Sequence, residues 1–182
     1  MKKASVFWFT GLSGSGKTTI VEQAQRLLAG FNKKIKVYDG DIVRKQINKD
    51  LTFSPEHIKE NNKIIAELCL KDINSGQYDY IFVAVISPFQ EAREKAKEII
   101  GSSFNLIYCK SSLKEVISRD TKGLYKKALA GEINNFIGID EETPFQPPKD
   151  AGLVLDTEKD DVKTCVDNLM KFIDFRERNE YS

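Results

Sequence analysis

The sequence predicts a three-layer α/β fold, a parallel sheet flanked by helices, on three observations. Its apolar runs are strand-sized and alternate with stretches of helical period. The stretches between successive runs are long enough to return the chain to a parallel strand. The first run passes directly into a glycine-rich loop and a helix.

Taken in order, "SVFWFT" gives a strand at residues 5–10, and the segment behind the glycine-rich loop gives a helix at 17–29. A strand at 35–38 ends in "YDGD", and a helix at 41–48 follows it. Residues 55–74 open on a proline, which suits a first helical turn, and carry an apolar stripe through Ile58, Asn61, Ile65 and Leu68. A strand at 80–86, a helix at 88–100, a strand at 105–109 and a helix at 112–119 follow. Residues 120–150 are rich in Lys, Gly, Asn and Pro with weak periodicity, and read as a mobile lid between two strands. A strand at 152–155 and a helix at 160–175 close the order, with "FRERNEYS" as a fraying end.

At 182 residues, 41% hydrophobic and 30% charged, the sequence is expected to form one domain over residues 1–182. Lysine and arginine (28) balance aspartate and glutamate (27), so no net field recommends nucleic acid or a membrane as partner. Cys69, Cys109 and Cys165 lack the paired spacing of a zinc or redox motif and are expected to be buried thiols of a cytoplasmic protein. The apolar run in "MKKASVFWFT" is too short for a signal peptide or a membrane span.

"GLSGSGKT" satisfies G-x-x-x-x-G-K-[ST] between the first strand and the first helix, which defines a P-loop and predicts the P-loop kinase or NTPase variant of the fold. Glycines let backbone N–H groups turn toward phosphate oxygens, and the helix amino terminus adds its positive end. Gly11, Ser13, Gly14, Ser15, Gly16, Lys17, Thr18 and Thr19 are the candidate ATP contacts, with Lys17 reaching the β and γ phosphates and the Thr18 hydroxyl on Mg²⁺. A GTPase switch is the competing class. Its D-x-x-G pattern is met by Asp120 to Gly123, but behind a helix rather than a strand, and "NKDL" at 48–51 is not N-K-x-D. A catalytically dead nucleotide-binding regulator is a third class; loss of Lys17 or of an acceptor base would favour it, and neither is lost.

Asp39 and Asp41 fall at the carboxyl edge of the predicted sheet, where open α/β folds bind ligands. Two carboxylates two residues apart suit one in water-mediated Mg²⁺ contact and one accepting a hydroxyl proton, with Gly40 permitting a tight turn. Capping of the next helix is an equally good reading of both.

"GLSGSGKTT", "DGDIVR", "FSPE" with Asn61, "ISPF", "RDTKGLYKKALAGEINNFIGID" and "LVLDT" together resemble, in order and spacing, the adenylylsulfate kinases. The likeness spans nearly the whole chain, and the 119–140 stretch is its most specific part. It implies a homodimeric P-loop kinase with a lid that moves the ATP γ-phosphate to the ribose 3′-hydroxyl of a nucleotide. By the same resemblance Asp41 orients or deprotonates that hydroxyl, Arg44 binds the anionic 5′ group, and Phe53 and Phe136 sandwich the base. Ile86 and Ser87 join the acceptor site, and Ser87 matches a serine sometimes assigned as a phosphorylated intermediate, a role that direct in-line transfer does not require. Arg119, Lys122, Lys126 and Lys127 line the lid, Arg119 toward ATP and Lys126 toward the acceptor.

One helix departs from the pattern. Where the family carries Asp-Arg, an asparagine and an arginine pair, this sequence has His57, Ile58, Asn61, Lys63 and Ile64. An asparagine on an apolar stripe must find hydrogen bonds, so Asn61 reads as a pocket-floor contact, while His57 reads as a polar surface residue. Isoleucine for arginine forfeits charge-assisted bonds worth roughly 1.5–3 kcal/mol each. The expected acceptor is therefore a less anionic one, cytidine 5′-diphosphoramidate of capsule biosynthesis, with adenylylsulfate as the alternative.

Overall fold

A computed structural model describes residues 3–46 and 51–179. It contains five parallel strands, β1 (Ser5–Thr10), β2 (Ile35–Asp39), β3 (Tyr80–Ala84), β4 (Phe104–Lys110) and β5 (Leu153–Asp156), in the order β2-β3-β1-β4-β5. Helices α1 (Lys17–Gly30), α2 (Gly40–Gln46), α3 (Pro55–Ser75), α4 (Gln90–Ile100), α5 (Leu113–Arg119), α6 (Leu124–Leu129) and α7 (Val162–Asn179) connect and flank them.

β1 is central and buried on both faces, so it carries no polar alternation. Phe7 and Phe9 point to one side and pack with Phe82, Ile107 and Leu155 against α1 and α7. Val6 and Trp8 point to the other and pack with Ile81, Val83 and Leu106 against α3 and α4. The period of two along one strand thus builds both outer layers. Phe9 and Asp39 both register against Ala84, which levels the carboxyl ends of β1, β2 and β3 and brings the three following loops to one edge.

The strand expected to reach residue 86 ends at Ala84. Val85 N and Gly11 N still bond to Phe9 O (3.2 Å) and Ile86 O (3.3 Å), but Ser87 then takes φ 45° ahead of Pro88, and the chain leaves the sheet. The helix expected from residue 88 opens at Gln90 because Phe89 is still extended. Helix α6 was not expected: six residues are too few to show a period. The expected helix end at Asn48 and the "NKD" of "NKDL" lie outside the described residues, whereas α7 continues past residue 175 to Asn179.

All three cysteines are free and buried, as expected. Burial pushes the Cys109 thiol up to about 12 and raises Cys69 and Cys165 as well. Because the thiolate is the nucleophile, native protein at pH 8 is expected to resist iodoacetamide under conditions that label all three thiols in urea. Labelling of the native protein at the unfolded rate would contradict this placement.

Candidate active site

The loop between β1 and α1 is shaped by close approach. A side chain on Gly11 would place its Cβ 2.5 Å from the Cys109 carbonyl oxygen, at a φ of 150°. Gly14 and Gly16 are left-handed (φ 75° and 86°), and turns of this kind direct successive N–H groups into a concave nest. Lys17 is buried, and its Nζ donates to Gly11 O (2.7 Å) and Leu12 O (2.8 Å). Burial lowers its pKa to about 8, a desolvation that an anionic phosphate beside it offsets. The Ser15 hydroxyl is fully buried inside the same loop without a partner.

The two aspartates, Asp39 ending β2 and Asp41 opening α2, divide the roles that spacing left open. Asp39 Oδ1 accepts from the N–H groups of Asp41 (2.9 Å) and Ile42 (3.3 Å), so Asp39 caps α2. Its Oδ2 accepts from Thr18 Oγ1 (3.1 Å). Among the described residues the Asp41 side chain caps no helix; its Oδ2 pairs with Lys122 Nζ at 3.0 Å, and both side chains are more than half exposed. Gly40 follows from sterics rather than from a turn, since a Cβ there would meet Val85 Cγ1 at 2.9 Å.

Two adjoining clefts result. The first is lined by Ser13, Gly14, Gly16, Lys17, Thr18, Thr19, Asp39, Asp41, Thr121 and Lys122. The second is lined by Asp41, Arg44, Phe53, Ile58, Asn61, Asn62, Ile86, Ser87, Pro88 and Ile137. Asp41 belongs to both, together with Gly40, Val85 and Ile86. A carboxylate therefore stands between a phosphate-binding loop and a half-apolar pocket.

Most of the residues expected in the acceptor site meet in the second cleft. Arg44 lies over the Phe53 ring (4.5 Å to the centroid) and donates to Leu51 O (3.0 Å) and Thr52 O (2.6 Å), which holds the chain ahead of α3. Ile58 is a buried wall, packed with Phe89, Ala92 and Ile137. His57 lines neither cleft; its Nδ1 accepts from Thr52 N (3.0 Å), in keeping with the plainer reading.

Several expected positions differ. Asp39, expected at the sheet edge as an acceptor contact beside Asp41, lines only the first cleft, because its carboxylate is held by the Asp41 and Ile42 N–H groups and by Thr18. Phe136 makes an edge contact with Tyr125 (5.0 Å) in a cluster with Leu12 and Val116, and its neighbour Ile137 reaches the acceptor cleft instead. The physical reason is that two rings side by side in a polar segment bury each other. Lys126 is exposed on α6 and lines neither cleft, so of the segment's lysines Lys122 is the one that reaches the chemistry. Arg119 lies beside the loop rather than in the cleft, donating to Glu115 Oε1 (2.9 Å) and Thr157 O (2.6 Å). The Asp120-x-x-Gly123 pattern is a turn: the Asp120 carboxylate accepts from the N–H groups of Tyr125 and Lys126, both at 3.0 Å, and starts α6. Tyr125 in turn donates to Ser13 O (2.9 Å), tying this segment to the phosphate loop.

A P-loop between the central strand and its helix, with a carboxylate facing a second pocket, defines a P-loop kinase. Comparison with known proteins narrows the class. The family model for adenylylsulphate kinase matches residues 3–156. An adenylyl-sulfate kinase of Bacillus velezensis is 43% identical over 172 residues, covering 94% of this chain and 85% of that one. A probable adenylyl-sulfate kinase of Bacillus subtilis is 42% identical with the same coverage. The structure of a Mycobacterium tuberculosis APS kinase in complex with AMPPNP and APS superimposes with a TM-score of 0.88 at 32% identity, covering 96% of this chain and 99% of that one.

The chain belongs to the adenylylsulfate kinase family. It is a phosphotransferase that uses ATP and Mg²⁺ to phosphorylate a hydroxyl of a nucleotide. The residues present fit that pair: the left-handed Gly14 and Gly16 and the buried Lys17, all lining the first cleft, suit phosphate, and the Thr18 hydroxyl with the Asp39 carboxylate would suit Mg²⁺. Among the described residues no helix is long and apolar enough to cross a membrane.

Proposed function

We propose that the protein is an adenylylsulfate kinase, moving the ATP γ-phosphate to the 3′-hydroxyl of adenylylsulfate. The observation that carries the reading is a carboxylate, Asp41, shared by the phosphate and acceptor clefts. In the reaction the 3′-oxygen bonds to the γ-phosphorus, the bond to the β-γ bridging oxygen breaks, ADP leaves, and the hydroxyl proton passes to Asp41. Lys17 and Lys122 face the transferring charge, and Thr18 and Asp39 would hold Mg²⁺, which would supply charge neutralisation on the phosphates. Arg44 meets the 5′ group and Phe53 stacks on the base. Residues 120–150 serve as the lid, and Ser87 acts as a contact rather than as a phosphorylated intermediate.

The replacement of an arginine by Ile58 favoured a cytidine conjugate on sequence grounds. The relatives at 43% and 42% identity, both bearing the adenylyl-sulfate name, favour adenylylsulfate instead. The geometry accommodates it, because Arg44 and Lys122 remain at the two clefts and Ile58 fills a wall. A cytoplasmic site of action and a homodimer, to be checked by light scattering, belong to the same proposal.

The test is ADP release from Mg²⁺-ATP with adenylylsulfate or cytidine 5′-diphosphoramidate at matched concentrations, with the new phosphate located by ³¹P NMR. A clear kcat/KM advantage for adenylylsulfate is expected. An advantage for the cytidine compound would mean that Ile58 marks a re-specified pocket and would overturn the proposal.

A further inference from the structure

Helix α3 presents a second asparagine to the acceptor cleft. Asn62 is 2% exposed and lines the cleft, yet its Nδ2 has no hydrogen-bond partner. Ser87, on the segment after β3, lines the same cleft, is also 2% exposed, and has a partnerless Oγ. Buried polar groups are nearly always paired, because each one left unmade is destabilising. Trp8 Nε1, Ser15 Oγ, Arg93 Nε, Ser111 Oγ, Thr143 Oγ1 and Arg176 Nε are partnerless too, but none of these residues lines either cleft. Two such groups from different elements, in one cleft whose lining also includes Ile58, Ile86 and Ile137, have the form of a pocket that orients a ligand through a few polar contacts.

We propose that Asn62 determines acceptor specificity: its side-chain amide donates a hydrogen bond to an accepting oxygen or nitrogen of the acceptor nucleotide. The inference rests on the function proposed above and assigns a role beyond Asp41 and Arg44. Asn62 is one turn past Ile58 on the face turned to the cleft, so it contributes a neutral donor beside the wall that isoleucine forms. A site built around a donor discriminates strongly against a ligand that lacks the matching acceptor, since the donor is then left unpaired.

Asn62→Leu keeps side-chain size and removes the amide. With adenylylsulfate its KM is expected to rise roughly 10-fold or more, with kcat changed less and the KM for ATP unchanged. Thermal stability should stay equal or increase, because a partnerless buried amide is replaced by an apolar group. If Asn62→Leu does not fold, Asn62→Ala carries the same readouts. An unchanged acceptor KM, with or without a lower Tm, would assign Asn62 to packing alone and overturn the inference while leaving the kinase reading intact. Wild-type protein that fails to phosphorylate adenylylsulfate would remove the adenylylsulfate reading, and the inference with it.

Discussion

Asp41→Asn is expected to lower kcat by about 10²–10⁴-fold, the range a positioned general base supplies. The affinity for an ATP analogue should change little. The substitution keeps the shape of the side chain and removes its negative charge, and with it the capacity to take the 3′-hydroxyl proton. Asp39, Thr18 and Lys17, which form the nucleotide side of the site, make no hydrogen bond to the Asp41 side chain. The lost ion pair with Lys122 is exposed on both sides, and pairs of that kind contribute at most about 1 kcal/mol. The fold should therefore survive, and Tm should move little. Steady-state turnover together with calorimetric titration of a nonhydrolysable ATP analogue separates the two effects. A variant within tenfold of wild-type kcat would remove Asp41 from the proton transfer. A variant that failed to bind the analogue would instead move Asp41 to the nucleotide side.

The nucleotide half of this site was legible in the sequence because its physics is local. Gly11 to Thr19 form one loop, and the letters that define it also fix its backbone: the glycines sit where φ is positive or where the Cys109 carbonyl approaches. The five strands were legible for a similar reason, since a central parallel sheet imprints unbroken apolar runs. The acceptor half depends on contacts across long separations, and spacing is blind to these. Nothing near Asp41 in the chain announces that Lys122, 81 residues away, is its ion-pair partner. Nothing near Phe136 shows that Tyr125 would claim its ring and leave Ile137 to face the cleft. Asn62 was overlooked beside Asn61 because a helical wheel drawn through Ile58, Ile65 and Leu68 favours one of two adjacent positions, whereas α3 buries both. A signal did exist: two consecutive asparagines inside a helix, poor helix formers both, need a reason to be there.

Arg93 was missed altogether, and its removal is expected to have the second large effect. It is 1% exposed, and its guanidinium donates to Ser87 O (2.7 Å), Pro88 O (3.1 Å), Gln90 Oε1 (2.6 Å) and Gln146 O (2.8 Å). These bonds join the start of α4, the segment after β3 and the residue-146 strap, and Gln146 N adds a bond to Pro88 O (2.9 Å). Ser87 has a left-handed backbone without being glycine, a conformation that costs roughly 1–3 kcal/mol unless its surroundings hold it. Thr10 Oγ1 on one side (3.2 Å) and Arg93 on the other grip its carbonyl. Arg93→Met keeps the length of the stem and removes every donor. Pro88 O keeps Gln146 N, Ser87 O keeps a share of the Thr10 hydroxyl, whose single proton also serves Ile86 O (2.6 Å), and the exposed Gln146 can turn to water, so the loss should fall at about 2–4 kcal/mol rather than the full penalty of stranded carbonyls. For a chain of this size that lowers Tm by roughly 4–16 °C. With Ser87 and Pro88 both in the acceptor cleft, the KM for the acceptor should rise while the KM for ATP holds, because the phosphate loop makes no bond to Arg93. Arg93→Lys reaches fewer of the four acceptors at once and should fall between the two. A stable Arg93→Met with wild-type acceptor KM would show that Thr10 and the sheet hold Ser87 unaided.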